Sequence, residues 1–173
     1  MPLNLTKRYP HLLELAGMSE KERTRSLHLV FDRDITDNNQ FSFRSKRIYP
    51  IKTDGQIDMD REFLHLTTNE ELGEDGVSHR IYDRFRSERL HWIRTHIEER
   101  IGDDIIVFSI EERNPKKRVD ETRVYIYNKG QKYIIVLEPQ RKGQAYFLLT
   151  AYYLNKEYGE KQIKKKMKKG IIL

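Results

Sequence analysis

Three arginines, a glutamate and a pair of hydroxyls have the side-chain types needed for chemistry on a phosphodiester: Arg86, Arg89, Arg123, Glu88, Thr150 and Tyr152. Metal-free cleavage of RNA requires attack of a 2'-hydroxyl on the adjacent phosphorus. A proton acceptor and a proton donor must stand close by, and cations must meet the charge that builds on the phosphate. Arginine offers a phosphate two parallel donors. Tyr, His and Glu can move protons, and an aromatic face can stack an unpaired base. Such a set uses no cysteine and no clustered carboxylates, so neither a metal nor another cofactor is expected.

The elements that must position these groups are legible in outline. At about 100° per residue, a helix over 79–101 gathers Ile81, Phe85, Leu90, Trp92, Ile93 and Ile97 on one arc. Arg80, Arg84, Glu88, His91 and Arg94 fall opposite, facing solvent. Arg89 projects near the middle of the apolar arc and Arg86 lies inside it. A guanidinium there is costly unless it is paired or reaches a polar cavity. Two readings stand side by side: both arginines snorkel, or the helix breaks at His91 and the wheel shifts by a turn; alternatively both lean from the helix edge into a pocket floored by the sheet.

The strands follow. Ile105 to Ile110, Thr122 to Tyr127, Tyr133 to Leu137 and Ala145 to Leu154 are joined by short connections, one of them the Asn128-Lys129-Gly130 turn. Period-two alternation places Tyr146, Leu148, Thr150 and Tyr152 on one face of the last strand, with Phe147, Leu149, Ala151 and Tyr153 on the other. Glu121, Arg123, Tyr125 and Tyr127 likewise share a face. The economical arrangement is an antiparallel four-stranded meander with two helices packed on one side.

Upstream, residues 9–36 read as mostly helical, with Ser19 and Glu22 forming a capping box for a helix ending near Phe31. A hairpin follows, with Phe41, Phe43 and Ile48 to Ile51 leading into an Asp54-Gly55 turn. Ile57, Met59, Phe63, Leu64 and Leu66 make its return arm. Asn69 to Ser78, with Gly73 and Gly76, reads as a linker. The expected organisation is therefore α+β: an N-terminal helical and hairpin region over 1–70, a helix-on-sheet domain over 71–155, and a Lys-rich helix or tail over 156–173.

Composition narrows the class. The chain has 173 residues, 33 Lys and Arg against 27 Asp and Glu, and no cysteine. Absence of cysteine removes disulfide scaffolds, Cys-based zinc sites and thiol nucleophiles. No apolar run approaches the roughly 18 residues of a membrane span, and the first residues lack a signal-peptide pattern, so no membrane contact and a cytoplasmic setting are expected. Seven lysines after Asn155, against Glu157 and Glu160, carry most of the net charge of +6. That run reads either as a solvated end or as an electrostatic arm for RNA or DNA. Asp58 and Asp60, two apart on an expected strand, have no third ligand beside them. Gly73 and Gly76 lack the Lys-Ser/Thr of a phosphate loop.

Over roughly residues 79–155 the chain resembles the phage and mobile-element nuclease-like domains of the barnase–EndoU–colicin–RelE (BECR) fold group. The resemblance rests on Arg80-Ile81-Tyr82, Phe85-Arg86, Glu88-Arg89, Trp92 and Ile97, then Glu121-Thr122-Arg123, Tyr133-Ile134-Ile135-Val136-Leu137 and Thr150-Ala151-Tyr152. It implies two helices on a four-stranded antiparallel sheet and a toxin-like ribonuclease activity without metal. The catalytic residues it implies are Arg86, Glu88, Arg89, Arg123, Thr150 and Tyr152. The final strand lacks the histidine of the group, so a histidine relay would draw on His65, His79, His91 or His96. His65, in Phe63-Leu64-His65-Leu66-Thr67, is similar to a Phe-x-His-Leu-Thr string of a sister family. Arg94, Tyr125, Lys129 and Lys142 are expected to bind the substrate. RNA is the expected partner, with a neutralising protein as a second. The alternative is a non-catalytic module of a mobile element that binds nucleic acid or protein through the same surface.

Overall fold

The computed structural model describes residues 2–50, 52–53 and 55–173, with the side chains of Lys52 and Thr53 excepted. Asp54, half of the expected hairpin turn, and Ile51 lie outside the described residues. Helix α1 (Glu20–Phe31) starts at the capping box: Glu22 N donates to Ser19 Oγ at 3.2 Å, and Ser19 N to Glu22 Oε2 at 2.9 Å. It runs on into a π turn at Asp32–Thr36. The helix expected to precede it, from residue 9, is instead irregular chain. Strands β1 (Ser42–Phe43), β2 (Lys46–Tyr49), β3 (Lys52–Thr53) and β4 (Gln56–Ile57) follow, the last two pairing with each other.

The return arm expected over 57–66 is a helix, α2 (Met59–Thr67). Asp58 accepts from Arg61 N at 2.9 Å and so caps its start, which turns a strand-like apolar series into a helical face through Phe63 and Leu66. The expected linker is a hairpin of β5 (Thr68–Leu72) and β6 (Ser78–Tyr82). The long helix over 79–101 is therefore corrected: its first residues belong to β6. Asp83 caps a single turn, α3 (Arg84–Ser87), and the chain bends through 88–91 into α4 (Trp92–Ile97). His91, expected on the solvent arc, is 4 % exposed.

Strands β7 (Ile105–Asn114), β8 (Val119–Asn128), β9 (Tyr133–Gln140) and β10 (Ala145–Tyr153) pair in sequence as antiparallel neighbours. They do not make up the whole sheet. Helix α5 (Glu157–Lys169) leads into β11 (Ile171–Ile172), which adds antiparallel to β7, while β2 adds parallel to β10 and β1 pairs with β2. The expected four-stranded antiparallel meander is thus corrected to a seven-stranded mixed sheet in the order β1-β2-β10-β9-β8-β7-β11. A four-stranded sheet would leave the unpaired backbone of β7 and β10 open at its edges. Short distant segments, too brief to announce themselves as strands, fill those edges.

Two apolar clusters lie on opposite faces of this sheet. One joins Leu27, Phe31, Phe63, Leu66, Trp92 and Ile93 of the helices to Ile126, Ile135 and Leu148. The other lies under α5, where Ile163 and Met167 meet Phe108, Tyr125, Tyr127 and Val136. The lysine run is consequently a packed amphipathic helix whose exposed side carries Lys161, Lys164, Lys165 and Lys168. Its C-terminus depends on Gly170: a Cβ there would lie 2.5 Å from the Ser109 carbonyl oxygen.

A β-bulge at Leu149 changes the parity of β10, because the register to β9 shifts between Leu148 and Thr150. Tyr146, Leu148 and Ala151 join the first cluster, whereas Leu149 and Tyr152 pack with the second. The strict alternation expected for this strand therefore holds only up to Leu148. β2 pairs with β10 only at Ala145–Phe147. Beyond that point α2 and α3 pack along the strand.

Candidate functional site

Arg86 sits where α3 passes the end of α2 and the bulged part of β10. Its Nη1 donates to the carbonyls of His65 at 2.9 Å and Thr68 at 3.1 Å, and to Thr150 Oγ1 at 3.3 Å. Its Nε lies 3.4 Å from Asp83 Oδ2. The His65 carbonyl belongs to the last turn of α2 and that of Thr68, which also accepts from Arg80 Nη2 at 3.0 Å, follows directly, so the guanidinium caps that helix while it holds Thr150. Its carbon also lies 5.7 Å from the Tyr152 ring centre. Three of the expected catalytic residues, Arg86, Thr150 and Tyr152, thus converge.

Across β10, Tyr152 enters a polar cluster beneath α5. Tyr125 donates to Glu112 Oε1 at 2.6 Å, and Lys166 Nζ lies 3.0 Å from the Tyr125 hydroxyl and 2.9 Å from Glu112 Oε1. The Tyr152 hydroxyl and Glu112 Oε2 have no hydrogen-bond partner among the described residues. Burial, with Tyr125 second, pushes the Tyr152 phenol up to about 12, while Lys166 and Arg86 pull it down. Tyr125 is raised as well, by burial and then by its bond to Glu112. Both phenols therefore keep their protons at neutral pH. The arrangement sets two cations, two phenols and one carboxylate within electrostatic reach of one another.

Arg123 extends from the same face of β8, two residues from Tyr125. It pairs with Glu121 at 2.6 Å and with Glu138 at 3.3 Å. Glu121 is held below the usual carboxylate range by hydrogen bonds from Asn114 and then Arg123.

The other expected residues lie elsewhere. Arg89 is 8 % exposed and packs its guanidinium 3.9 Å from the Tyr153 ring centre. Its Nη1 donates to Glu88 Oε1 and to the Phe85 carbonyl, both at 3.0 Å. Arg89 and Glu88 therefore serve each other in the helical layer, with Arg89 offset by its aromatic neighbours. Arg94 reaches Glu98 at 2.9 Å and Asp34 at 3.7 Å, near α1. Lys129 and Lys142 are exposed in turns at opposite ends of β9. His65 lies in the last turn of α2, and its ring is pushed down by burial and by Arg80. His79 faces Asp75 at 3.2 Å on the exposed hairpin.

Two members of the cluster carry no warning in the sequence as read: Glu112 and Lys166. Glu112 continues the Ile106, Phe108, Ile110 alternation, and that period places it on the Tyr125 face. Lys166 is one lysine among seven, marked only by its helical spacing from Ile163. A further polar network was also not anticipated. Asn128 Nδ2 lies 3.0 Å from both His96 Nε2 and the Tyr9 hydroxyl, and Tyr9 donates to Asp103. It ties the N-terminal segment to α4 and the end of β8.

Among the described residues no group of three or more His, Cys, Asp or Glu is placed to hold a metal ion. No helix among them is long and apolar enough to cross a membrane. Comparison with protein-family models, with curated proteins and with solved structures finds no match for this chain.

Proposed function

We propose that this protein is a metal-independent, ribonuclease-like protein of the BECR kind, with its site at the Arg86–Thr150–Tyr152 junction. The observation that carries the reading is the position of a partner-free Tyr152 hydroxyl between the Arg86 guanidinium and the Lys166–Glu112–Tyr125 cluster. Arg86 and Lys166 would meet the phosphate charge. Glu112, through its spare oxygen, would take the proton of the 2'-hydroxyl as its oxygen bonds to phosphorus. Tyr152 would give its proton to the departing 5'-oxygen, and the two cations would stabilise the phenolate that remains. The products are a 2',3'-cyclic phosphate and a 5'-hydroxyl.

The test is incubation of the purified chain with a fluorogenic RNA in EDTA, with the new ends identified by mass spectrometry. The reading expects cyclic phosphate ends and a large loss of rate in Tyr152→Phe without loss of folding. Cleavage only on addition of a divalent metal, or an unchanged rate in Tyr152→Phe, rejects it.

One observation favours a second reading, a non-catalytic nucleic-acid-binding module. Arg86 already spends Nη1 on two carbonyls and a hydroxyl, and α5 turns Lys161, Lys164, Lys165 and Lys168 outward. RNA held without cleavage, with an affinity that falls steeply with salt and with charge reversal of those lysines, would select this reading.

A further inference from the structure

A cavity of about 560 Å³ lies between the N-terminal segment, the end of α1 and α4, and shares no residue with the Arg86 cluster. Its wall holds Lys7, Arg8, Arg33, Arg94 and Arg100 against two carboxylates, Asp34 and Glu98. Asp34 is 3 % exposed and is clasped by Arg33, whose Nε and Nη2 lie 2.7 and 3.1 Å from its two oxygens. Arg33 gives its remaining Nη1 to the Leu5 carbonyl at 2.9 Å. The Asp34 charge is thereby answered from within the wall.

Arg94 and Arg100 are less fully used. Each turns its Nε toward Glu98, at 2.9 and 3.4 Å respectively. Arg94 adds only a long 3.7 Å approach of Nη1 to Asp34, and the Arg8 guanidinium has no ion pair or hydrogen bond among the described residues. The wall therefore presents unspent guanidinium donors and a net positive charge to the cavity, which is the chemistry that takes a phosphate.

His91 adds an independent sign. It lines the same cavity, is 4 % exposed, and has its Nε2 2.7 Å from the His11 carbonyl oxygen. That contact requires Nε2 to carry the proton. Nδ1 of the neutral ring is then an acceptor, and it is buried with no partner among the described residues. Burial holds the ring neutral, pushed down to about 4, in keeping with this tautomer. A buried acceptor beside a basic wall calls for a ligand that brings its own O–H.

We infer that this cavity binds a small phosphate ester carrying a free hydroxyl, of the size of a ribonucleotide or a pentose phosphate. Arg8, Arg94 and Arg100 hold the phosphate, and His91 Nδ1 accepts a hydrogen bond from the hydroxyl. The volume falls within the usual range for small-molecule sites.

The experiment is calorimetric titration of the full chain with adenosine 5'-monophosphate, ribose 5-phosphate and 2',3'-dideoxyadenosine 5'-monophosphate. Saturable binding of either hydroxyl-bearing ester, displaced by inorganic phosphate, is expected, and the tighter of the two identifies the ligand type. Arg94→Gln, at the half-exposed rim, should weaken that binding by about tenfold or more. The dideoxy nucleotide should bind roughly tenfold more weakly than its ribose counterpart. His91→Phe should abolish that difference; should this buried substitution unfold the chain, the nucleotide pair on the unaltered protein still decides the role of His91. No saturable binding in the millimolar range, or full affinity in Arg94→Gln, overturns the site. Equal affinity for the ribose and dideoxy nucleotides overturns the hydroxyl contact.

Discussion

Arg86 and Thr150, 64 positions apart in the chain, meet at 3.3 Å where the end of α2, the turn of α3 and the bulge of β10 come together. The same Nη1 that holds Thr150 also closes two carbonyls at the end of α2, so this guanidinium is at once a structural cap and a cation 5.7 Å from the Tyr152 ring centre.

Removing that cation while keeping its bulk should expose its structural share. Arg86→Met leaves the His65 carbonyl and the Thr150 hydroxyl without this donor and the Thr68 carbonyl with Arg80 alone, and should cost about 2–3 kcal/mol of unfolding free energy. Arg86→Lys should recover only part of it, because a single ammonium does not reproduce the planar fork. Urea unfolding of both variants gives the comparison.

Tyr152→Phe separates function from stability. Its hydroxyl bonds to nothing described, so the melting temperature should hardly move, a change within about 0.5 kcal/mol. RNA cleavage should fall by roughly 100-fold or more if Tyr152 is the proton donor. A single-turnover assay in EDTA beside a thermal melt reads both.

Tyr125→Phe should perturb the neighbouring cluster through Glu112 and Lys166. Their 2.9 Å contact remains, but the phenol that donates to Glu112 and accepts from Lys166 is gone. A loss of about 1 kcal/mol is expected from the missing hydrogen bonds. Lys166→Met in the Tyr125→Phe background should then show non-additive stability, measured as a double-mutant cycle.

Acid should destabilise the fold through His91 before most carboxylates titrate. Its folded value, about 4, lies below the ordinary histidine value, so the unfolded chain binds the proton more readily. Stability from this group is complete above about pH 6.5 and is lost as pH falls toward 4, by up to roughly 3 kcal/mol. His96, also pushed down by burial, adds to the same trend. Urea midpoints taken from pH 7 to pH 4 should fall, and His91→Phe should flatten the slope.

Gly170→Ala tests how α5 is anchored. The added Cβ would meet the Ser109 carbonyl oxygen at 2.5 Å, so the α5 end and β11 must lift from β7, at a cost of about 1–3 kcal/mol. Amide exchange at Ile171 and Ile172 should accelerate most.

Local rules carried the reading wherever one face and one period sufficed. The Ser19 capping box starts α1, and the cores of β7, β8 and β9 lie in the apolar runs that suggested strands. The reading failed where a segment's partner is far away in the chain. His79 to Tyr82 reads as the start of a helix, yet pairing of Ser78 to Tyr82 with Thr68 to Leu72 makes it a strand. Lys46 to Tyr49 has only one wholly buried residue, Ile48, and its parallel place beside β10 has no local signature. In the site, Arg86, Thr150 and Tyr152 stood out by residue type. Glu112 and Lys166 did not, since a lone acid at a strand's end and one lysine of seven acquire meaning only when α5 is laid on the sheet.

Leu149 has a consequence for how this chain tolerates change in length. Trimming the strand by that one position would restore unbroken pleating from Ala145 onward and leave the later residues opposite their present partners, Ala151 against Ile135 and Tyr152 against Ile134. Ironing the bulge flat at full length would do the reverse: Ala151 would be driven out under the lysine helix and Tyr152 would turn inward among the helices. The identity of the half-buried Leu149 matters little by comparison. The strand can lose this link but cannot absorb it into the pleat, because the bulged residue decides which layer receives the phenol.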